Sequence, residues 1–304
     1  MKTKKIITGS VLGIAFATSV FIGCKKDSPI TPTTNTDITS AMDEANASYA
    51  ATDSKNIADA AIQWQSSGYT PNSQSVRKFS DIYGSCAKVH GNDTLVGGAN
   101  DTVVYIEFGE SDCSCRDGRE RRGTIIVYWG LQHPGETLLK AYFDSANTIT
   151  ETFRNYYLRG NGIAGTRTWT NEGHNVNGYS NWALTANLTI TYPEGQTTTW
   201  NSTRNNILIQ DNGIWYYEIS GNAKGTSRNG VEYTLTITSP LYITALPWWA
   251  GGCPWPEAGV VTIIRAMPAG GVTVTLTVTY GTLGTCSGNK TVTVNGKTSS
   301  LAMW

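Results

Sequence analysis

The residues best suited to acid or base chemistry lie between Glu107 and Arg122. The carboxylates of this segment are Glu107, Glu110, Asp112, Asp117 and Glu120, and the arginines among them are Arg116, Arg119, Arg121 and Arg122. Glycoside hydrolysis needs two carboxyl groups about 5–10 Å apart, and spacing along the chain does not establish such a pair. The alternative is an acidic turn whose carboxylates pair with the arginines. We favour that alternative and assign no catalytic residue.

Other catalytic patterns are missing from the sequence. The histidines are His90, His133 and His174, and none stands in an HExxH helix or beside a Gly-x-Ser-x-Gly turn. Asp117-Gly118 lacks the alternating Asp and Asn ligands of a calcium loop. We therefore expect a protein that is not an enzyme and that holds no cofactor and no metal.

Cysteines offer a second kind of chemistry. Cys24 has a separate role, described below, and the disulfide candidates of an exported chain are Cys86, Cys113, Cys115, Cys253 and Cys286. An aromatic residue and glycine end a strand at both Phe108-Gly109 and Tyr280-Gly281, and a cysteine-bearing turn follows each. This echo predicts a bridge from Cys253 to Cys286. Cys86 would pair with Cys113 or Cys115, which leaves one thiol over.

A zinc site is the alternative for part of this set. Cys86, His90, Cys113 and Cys115 would supply three thiolates and one imidazole, which is a known set of structural zinc ligands. Their spacing matches no recognised zinc finger, and disulfide formation competes for the thiols. We therefore assign no metal ligand.

Tryptophans in the segment ALPWWAGGCPWPEAG give the clearest indication of binding. Trp248, Trp249 and Trp255 lie among prolines and glycines, and exposed indole rings there would stack on the apolar faces of sugars. The alternative, which we favour, is that these rings close the open end of a β-core, where tryptophan contributes a large buried area.

The N-terminus predicts export. Residues 1–23 form a secretory signal, with three lysines followed by an apolar run from about Ile6 to Ile22. Gly23 directly before Cys24 resembles the signal of bacterial lipoproteins, which implies that Cys24 is diacylated and anchors the protein to a membrane. Residues 24–37 are rich in Pro and Thr and predict a flexible tether.

Charge and composition exclude one class of protein. The chain has 23 basic and 23 acidic residues, and removal of three signal-peptide lysines would give 20 − 23 = −3. No basic stripe is present outside the first few residues and the arginines of 116–122, so we exclude nucleic acid as a partner.

Residues 38–70 predict a helical segment. Alanines dominate, and apolar residues recur at helical spacing: Ala41, Ala45 and Tyr49, then Ile57, Ala61 and Trp64. The pattern fits one helix, or two helices broken near Asp53-Ser54, with Gly68 and Pro71 ending it. We expect this segment to pack along a β-domain.

Residues 71–304 predict that β-domain. About ten candidate strands lie between Val103 and Val294, and in the clearest of them apolar residues alternate with threonine, which indicates one buried and one wet face. Asn-Gly turns separate several strands, with the central hairpin placed at Asn161-Gly162. The prediction is a mostly β protein, an extended antiparallel meander that forms a sandwich, a barrel-like sheet or a curved sheet. The Phe108 and Tyr280 echo further suggests two similar halves.

Several longer stretches together are similar to a known group of proteins. DGRERRGTIIVYW, FRNYYLRGNGIAGTRTWTN, ISGNAKGTSRNGVEYTLTITSPL, CPWPEAG and YGTLGTC, with the Gly-Cys signal, resemble uncharacterised cell-envelope lipoproteins of the Bacteroidetes. The resemblance covers most of the chain after the signal. It implies location and architecture, and it carries no activity.

These observations lead to one functional expectation. The chain is expected to be a monomeric outer-membrane lipoprotein, on a membrane face left open, whose β-domain binds a glycan or an envelope protein or has a structural role. The alternative is a hydrolase that acts on polysaccharide through paired carboxylates.

Overall fold

The computed structural model describes most of the chain after the tether. The described residues are 38–66, 83–84, 87–96, 99–130, 144–245, 252–253, 255–266, 273–286 and 290–301. Helix α1 covers Thr39–Ser66. The strands are β1 (Lys88–Val96), β2 (Ala99–Glu107), β3 (Cys113–Ser114), β4 (Glu120–Gly130), β5 (Thr148–Leu158), β6 (Asn161–His174), β7 (Ser180–Thr191), β8 (Thr197–Asp211), β9 (Ile214–Thr226), β10 (Glu232–Thr244), β11 (Ala258–Ala266), β12 (Thr273–Thr279), β13 (Thr291–Val294) and β14 (Lys297–Ser300).

All strands of the described ranges join one antiparallel sheet. Each pairs with the next along the chain, from β1 to β14, except that the short β3 pairs with β4 beside this path. The sheet does not close on itself, and β1 and β14 are its edges. The predicted antiparallel meander is confirmed, and β1 and β14 extend it beyond the strands expected from the sequence.

The hairpin between β5 and β6 turns two residues earlier than the sequence predicts. Asn161 and Gly162 already belong to β6, where they pair with Leu158 and Tyr157 of β5. The turn itself is formed by Arg159 and Gly160, with φ of 51° and 78°. The Asn161 side chain donates to the Arg159 carbonyl at 3.0 Å, so it stabilises the turn from the adjacent strand position. The Asn-Gly rule is correct at Asn212-Gly213 and Asn295-Gly296, where both residues have positive φ.

Helix α1 is single and is enclosed by the sheet. Residues 43–47 are each at most 2% exposed. Because successive helical residues point about 100° apart, these five face every direction, so the sheet curls around the helix and does not merely lie along one side of it. The helix contacts β1, β2, β4, β7, β8 and β11. Within the described residues, no helix has the length and apolarity that a membrane span requires.

The helix continues through Asp53-Ser54 without a break, and two hydroxyl groups near this point bond back to carbonyls of the helix. Thr52 Oγ1 donates to the Ser48 carbonyl at 2.9 Å, and Ser54 Oγ donates to the Ala51 carbonyl at 3.1 Å. Both hydroxyls thus have partners inside the helix, which is continuous over Thr39–Ser66. The alternative of two helices is therefore wrong.

Carboxylates of α1 bind arginines of the surrounding sheet. Asp53 accepts hydrogen bonds from Arg121 at 2.8 and 3.0 Å and from Arg119 at 3.2 Å. Asp117 completes the group, since it accepts from both arginines at 2.7 Å. Burial alone would raise the pKa of Asp117, but hydrogen bonds and charges from Arg121 and Arg119 outweigh it and lower the pKa.

A second ionic group lies between two and three helical turns closer to the N-terminus of α1. Asp43 accepts from the Tyr192 hydroxyl at 2.9 Å and from both the backbone N and Nε of Arg228 at 2.7 Å. Glu44, on another side of α1, accepts from Arg204 Nη2 at 3.0 Å. Burial raises the pKa of Glu44 despite the attraction of Arg204. The interior thus fixes the helix with ion pairs as well as with apolar packing.

Candidate functional site

Residues of β2, of the turn that follows it, and of β4 and β5 line a groove, here called the outer groove. Its volume is about 650 Å³, and its lining consists of Glu107, Gly109, Glu110, Arg122, Gly123, Thr124, Arg154, Asn155 and Tyr157. A second depression of about 490 Å³ adjoins it and shares Glu107 and Gly109. By contrast, the space between α1 and strands β6 to β10 is about 60 Å³, which suits water rather than a ligand.

A β-bulge shapes the floor of the outer groove. Arg122 pairs with Tyr157 and Thr124 with Arg154, so two steps on β4 match three steps on β5 and Asn155 is the extra residue. Gly123 has φ of 84°, and a Cβ there would lie 2.0 Å from the Asn155 carbonyl oxygen. Only glycine fits this close approach of the two strands.

Arg122 forms one wall and is firmly held. Its guanidinium carbon lies 3.6 Å from the ring centroid of Tyr157, and Nη1 donates to Asp112 Oδ1 at 2.9 Å. Stacking and the ion pair together fix the guanidinium plane. Arg122 therefore offers its remaining N–H groups from a defined position.

Arg154 also lines the outer groove, and its side chain is largely exposed. Its side chain is 56% exposed, and Nη2 lies 3.5 Å from Glu107 Oε1 and 3.4 Å from Thr124 Oγ1. Glu107 is also 3.3 Å from His90 Nε2, and the His90 ring stacks on Tyr105 at 5.3 Å. Both the carboxylate and the guanidinium can therefore turn to a ligand without leaving a buried charge unpaired.

The chemistry of the outer groove is that of a polar recognition site. Planar donors from Arg122 and Arg154, acceptors from Glu107 and Glu110 and the phenol ring of Tyr157 line one concave surface. The two carboxylates balance the two guanidinium groups. Such a site suits a neutral ligand that both donates and accepts hydrogen bonds, such as the hydroxyl groups of a sugar.

The predicted pairing of acidic residues with arginines is found in the segment Glu107 to Arg122. Asp117 lies in the buried group around Arg119 and Arg121, and Asp112 binds Arg122. Glu120 is exposed. Glu107 and Glu110 are the two carboxylates of this segment that line the outer groove.

Trp255 lies partly buried against the core. Its ring stacks on Tyr49 of α1 at 5.4 Å, and Lys290 Nζ lies 4.8 Å from its centroid. This placement fits the alternative in which the tryptophan closes the β-core. Trp248 and Trp249 lie outside the described residues, so a sugar-stacking role for them stays a prediction.

The bridge between Cys253 and Cys286 is present, as the sequence echo predicts. Cys113 is also disulfide-bonded, and Cys115 is the buried free thiol. Cys86 and the lipid-attachment residue Cys24 lie outside the described residues. A disulfide removes Cys113 as a thiolate ligand, and the described residues hold no cluster of His, Cys, Asp or Glu suited to a metal ion.

The sequence analysis did not predict that Arg154 and Tyr157 line one groove. They are three residues apart, and strict alternation places such residues on opposite faces of a strand. The bulge at Asn155 brings both to the outer face. The one available signal was Gly123, a glycine inside a strand pattern, which suggests a bulge or a close backbone approach.

Comparison of the chain with protein-family models, curated proteins and solved structures finds no match.

Proposed function

We propose that the outer groove binds a glycan without catalysis, in a β-domain attached to the cell envelope. The observation that carries the proposal is that Arg122, held by Asp112 and the Tyr157 ring, and the exposed ion pair of Glu107 and Arg154 line one concave surface. Sugar hydroxyls need donors and acceptors at fixed positions, and a ring beside them. The outer groove supplies these with balanced charge.

The test is a binding screen of the detergent-solubilised full chain against neutral and anionic polysaccharides. Arg154→Ala and Tyr157→Ala are expected to weaken binding at least tenfold while leaving the unfolding midpoint nearly unchanged. Lys297→Ala removes an exposed cation on edge strand β14 and serves as the matched control. Binding that survives both groove variants would contradict the proposed site.

A second candidate function is hydrolysis of a polysaccharide. Glu107 and Glu110 line the same groove, as the two carboxyl groups of a glycosidase must. Release of reducing sugar from any bound polysaccharide, lost in Glu107→Gln, would favour this candidate. Binding without release favours the non-catalytic function.

We further propose that Cys24 carries the lipid anchor of a monomeric outer-membrane lipoprotein. The support is the signal-like sequence of residues 1–23 and its Gly23-Cys24 ending. Cys24→Ser is expected to move the protein from the membrane fraction to the soluble fraction. Unchanged membrane association of this variant would overturn the anchor.

A further inference from the structure

The carboxylate of Glu107 lies between two nitrogen bases from different strands. Its Oε2 lies 3.3 Å from Nε2 of His90 on β1, and its Oε1 lies 3.5 Å from Nη2 of Arg154 on β5. Both partners also approach the ring of Tyr105, since the His90 ring stacks on it at 5.3 Å and the Arg154 guanidinium carbon lies 5.9 Å from its centroid. Glu107 therefore couples the imidazole to a guanidinium that lines the outer groove.

The permanent charges around the groove balance as long as His90 is neutral. Six charged side chains line the outer groove and the depression that adjoins it, three of each sign: Lys88, Arg122, Arg154, Glu107, Glu110 and Asp112. Because these charges cancel, the protonation state of His90 decides the local balance. One proton on the imidazole leaves one positive charge in excess.

His90 exchanges protons with solvent directly, since its side chain is 50% exposed. Among the described strands, β1 pairs with β2 alone. Helix α1 lies behind the opposite face of β1, because the neighbouring Val89 packs against the core. The charged and titratable groups that face His90 are Lys88 on β1, Tyr105 and Glu107 on β2, and Arg154 beyond Glu107 on β5.

Protonation of His90 changes how far Glu107 offsets the charge of Arg154. A neutral imidazole attracts the carboxylate weakly, so the negative charge of Glu107 mainly offsets the guanidinium. An imidazolium at the same place competes for that carboxylate, and the potential at Arg154 becomes more positive. An anionic group from solution is then attracted more strongly to the N–H groups of Arg154. Histidine makes this change of charge between about pH 5 and pH 8.

We propose that His90 selects the class of glycan in the outer groove: a glycan that bears carboxylate groups when His90 is protonated, and an uncharged glycan when His90 is neutral. This inference rests on the glycan-binding function proposed for the groove. It adds the ligand class and the condition that selects it. His90 is a positioning residue, because it acts on the ligand through Glu107 and Arg154. Proton uptake by His90 and binding of a carboxylated glycan favour each other by linkage.

The experiment measures glycan binding by the full chain in detergent at about pH 7.5 and about pH 5.5, which lie on either side of an ordinary histidine titration and above that of ordinary carboxylates. Two matched pairs of probes differ only in acid groups. They are oligogalacturonate with its methyl ester, and xylo-oligosaccharide with and without a glucuronic acid branch. His90→Gln removes the titrating group and keeps a polar side chain. His174→Gln makes the same change at an exposed histidine of β6 and is the control.

The expected result is that affinity for the acidic member of a pair rises about three- to tenfold as pH falls, while affinity for the neutral member changes less than about twofold. His90→Gln should abolish the rise, and His174→Gln should keep it. High salt should reduce the rise, because exposed charges meet. Calorimetry at intermediate pH, in two buffers of different ionisation enthalpy, should detect proton uptake when the acidic probe binds, and His90→Gln should lose this uptake.

Failure of the pH selection is distinct from failure of the groove. If a probe binds and Arg154→Ala abolishes its binding, but the preference for acidic over neutral probes does not change with pH, the role of His90 is overturned and the groove stands. A rise in affinity that persists in His90→Gln overturns that role in the same way. If no probe binds at either pH, the glycan-binding function falls and the inference about His90 falls with it.

Discussion

Arginine and carboxylate meet in two regions of this molecule with opposite consequences. Inside the curved sheet, Arg121 and Asp53 have side chains that are 0% and 5% exposed, and their bonds join helix to sheet. On the outer face, Arg154 and Glu107 are 56% and 37% exposed and lie 3.5 Å apart. Burial makes the first pair part of the fold, and exposure leaves the second free to exchange partners with a ligand.

The largest loss of stability is expected at Arg204, which faces the buried Glu44 of α1. Arg204→Met leaves Glu44 buried without the cation that faces it, so we expect the free energy of unfolding to fall by about 3–5 kcal/mol. Urea denaturation measures this loss. Adding Glu44→Met should restore much of the stability, since an apolar pair can replace a buried ion pair. If the double variant is as unstable as Arg204→Met alone, the loss of stability does not come from the unpaired charge of Glu44.

A smaller loss is expected at Asp53. Asp53→Asn removes one negative charge facing Arg119 and Arg121, but Asp117 still accepts from both arginines. We expect a fall of about 2–3 kcal/mol in the free energy of unfolding, near the upper range for a charged hydrogen bond. A loss below about 1 kcal/mol would mean that the interior group behaves like a surface pair.

A buried lysine of the interior predicts a dependence of stability on pH. Burial lowers the pKa of Lys290 to about 8. Below pH 8 Lys290 is protonated in both the folded and the unfolded state, so the cost of burying its charge lowers the stability of the fold in full. As pH rises above 8, the folded state releases the proton before the unfolded state does, and stability increases.

The size of this effect is about 1 kcal/mol between pH 7 and pH 9. Urea denaturation at several pH values, with Lys290→Met as the reference, isolates the contribution of the lysine. Identical pH profiles for the two proteins would show that Lys290 does not lose its proton in this range.

The smallest effect is expected on the outer face. Asp112→Asn breaks the ion pair with Arg122. Because the side chains of Arg122 and Asp112 are 30% and 42% exposed, the free energy of unfolding should change by only about 0–1 kcal/mol. The same variant should still weaken glycan binding, because Arg122 loses one of the contacts that fix its position. Calorimetric titration with a bound polysaccharide checks this second effect.

How much the sequence predicts follows the same division between inside and outside. Alternation of apolar residues and threonine correctly predicts the strands from Val103 to Val294, because period two survives wherever one face is buried. It cannot predict that Arg154 and Tyr157 share a face, because the bulge at Asn155 interrupts the period. The sequence does not predict that the sheet encloses α1. The alanines of α1 indicate only a weakly amphipathic helix, and the arginines that bind the carboxylates between them lie far along the chain.

The ionic contacts of α1 also set an order for biosynthesis. Asp53, Glu44 and Asp43 find partners 68, 160 and 185 residues later in the chain. At synthesis rates of about 5–20 residues per second, the last partner of the helix appears roughly 10–40 s after the helix itself. During that interval the residues of α1 lack the sheet that encloses them, so a chain that ends before Arg228 leaves Asp43 without its guanidinium partner and the fold incomplete.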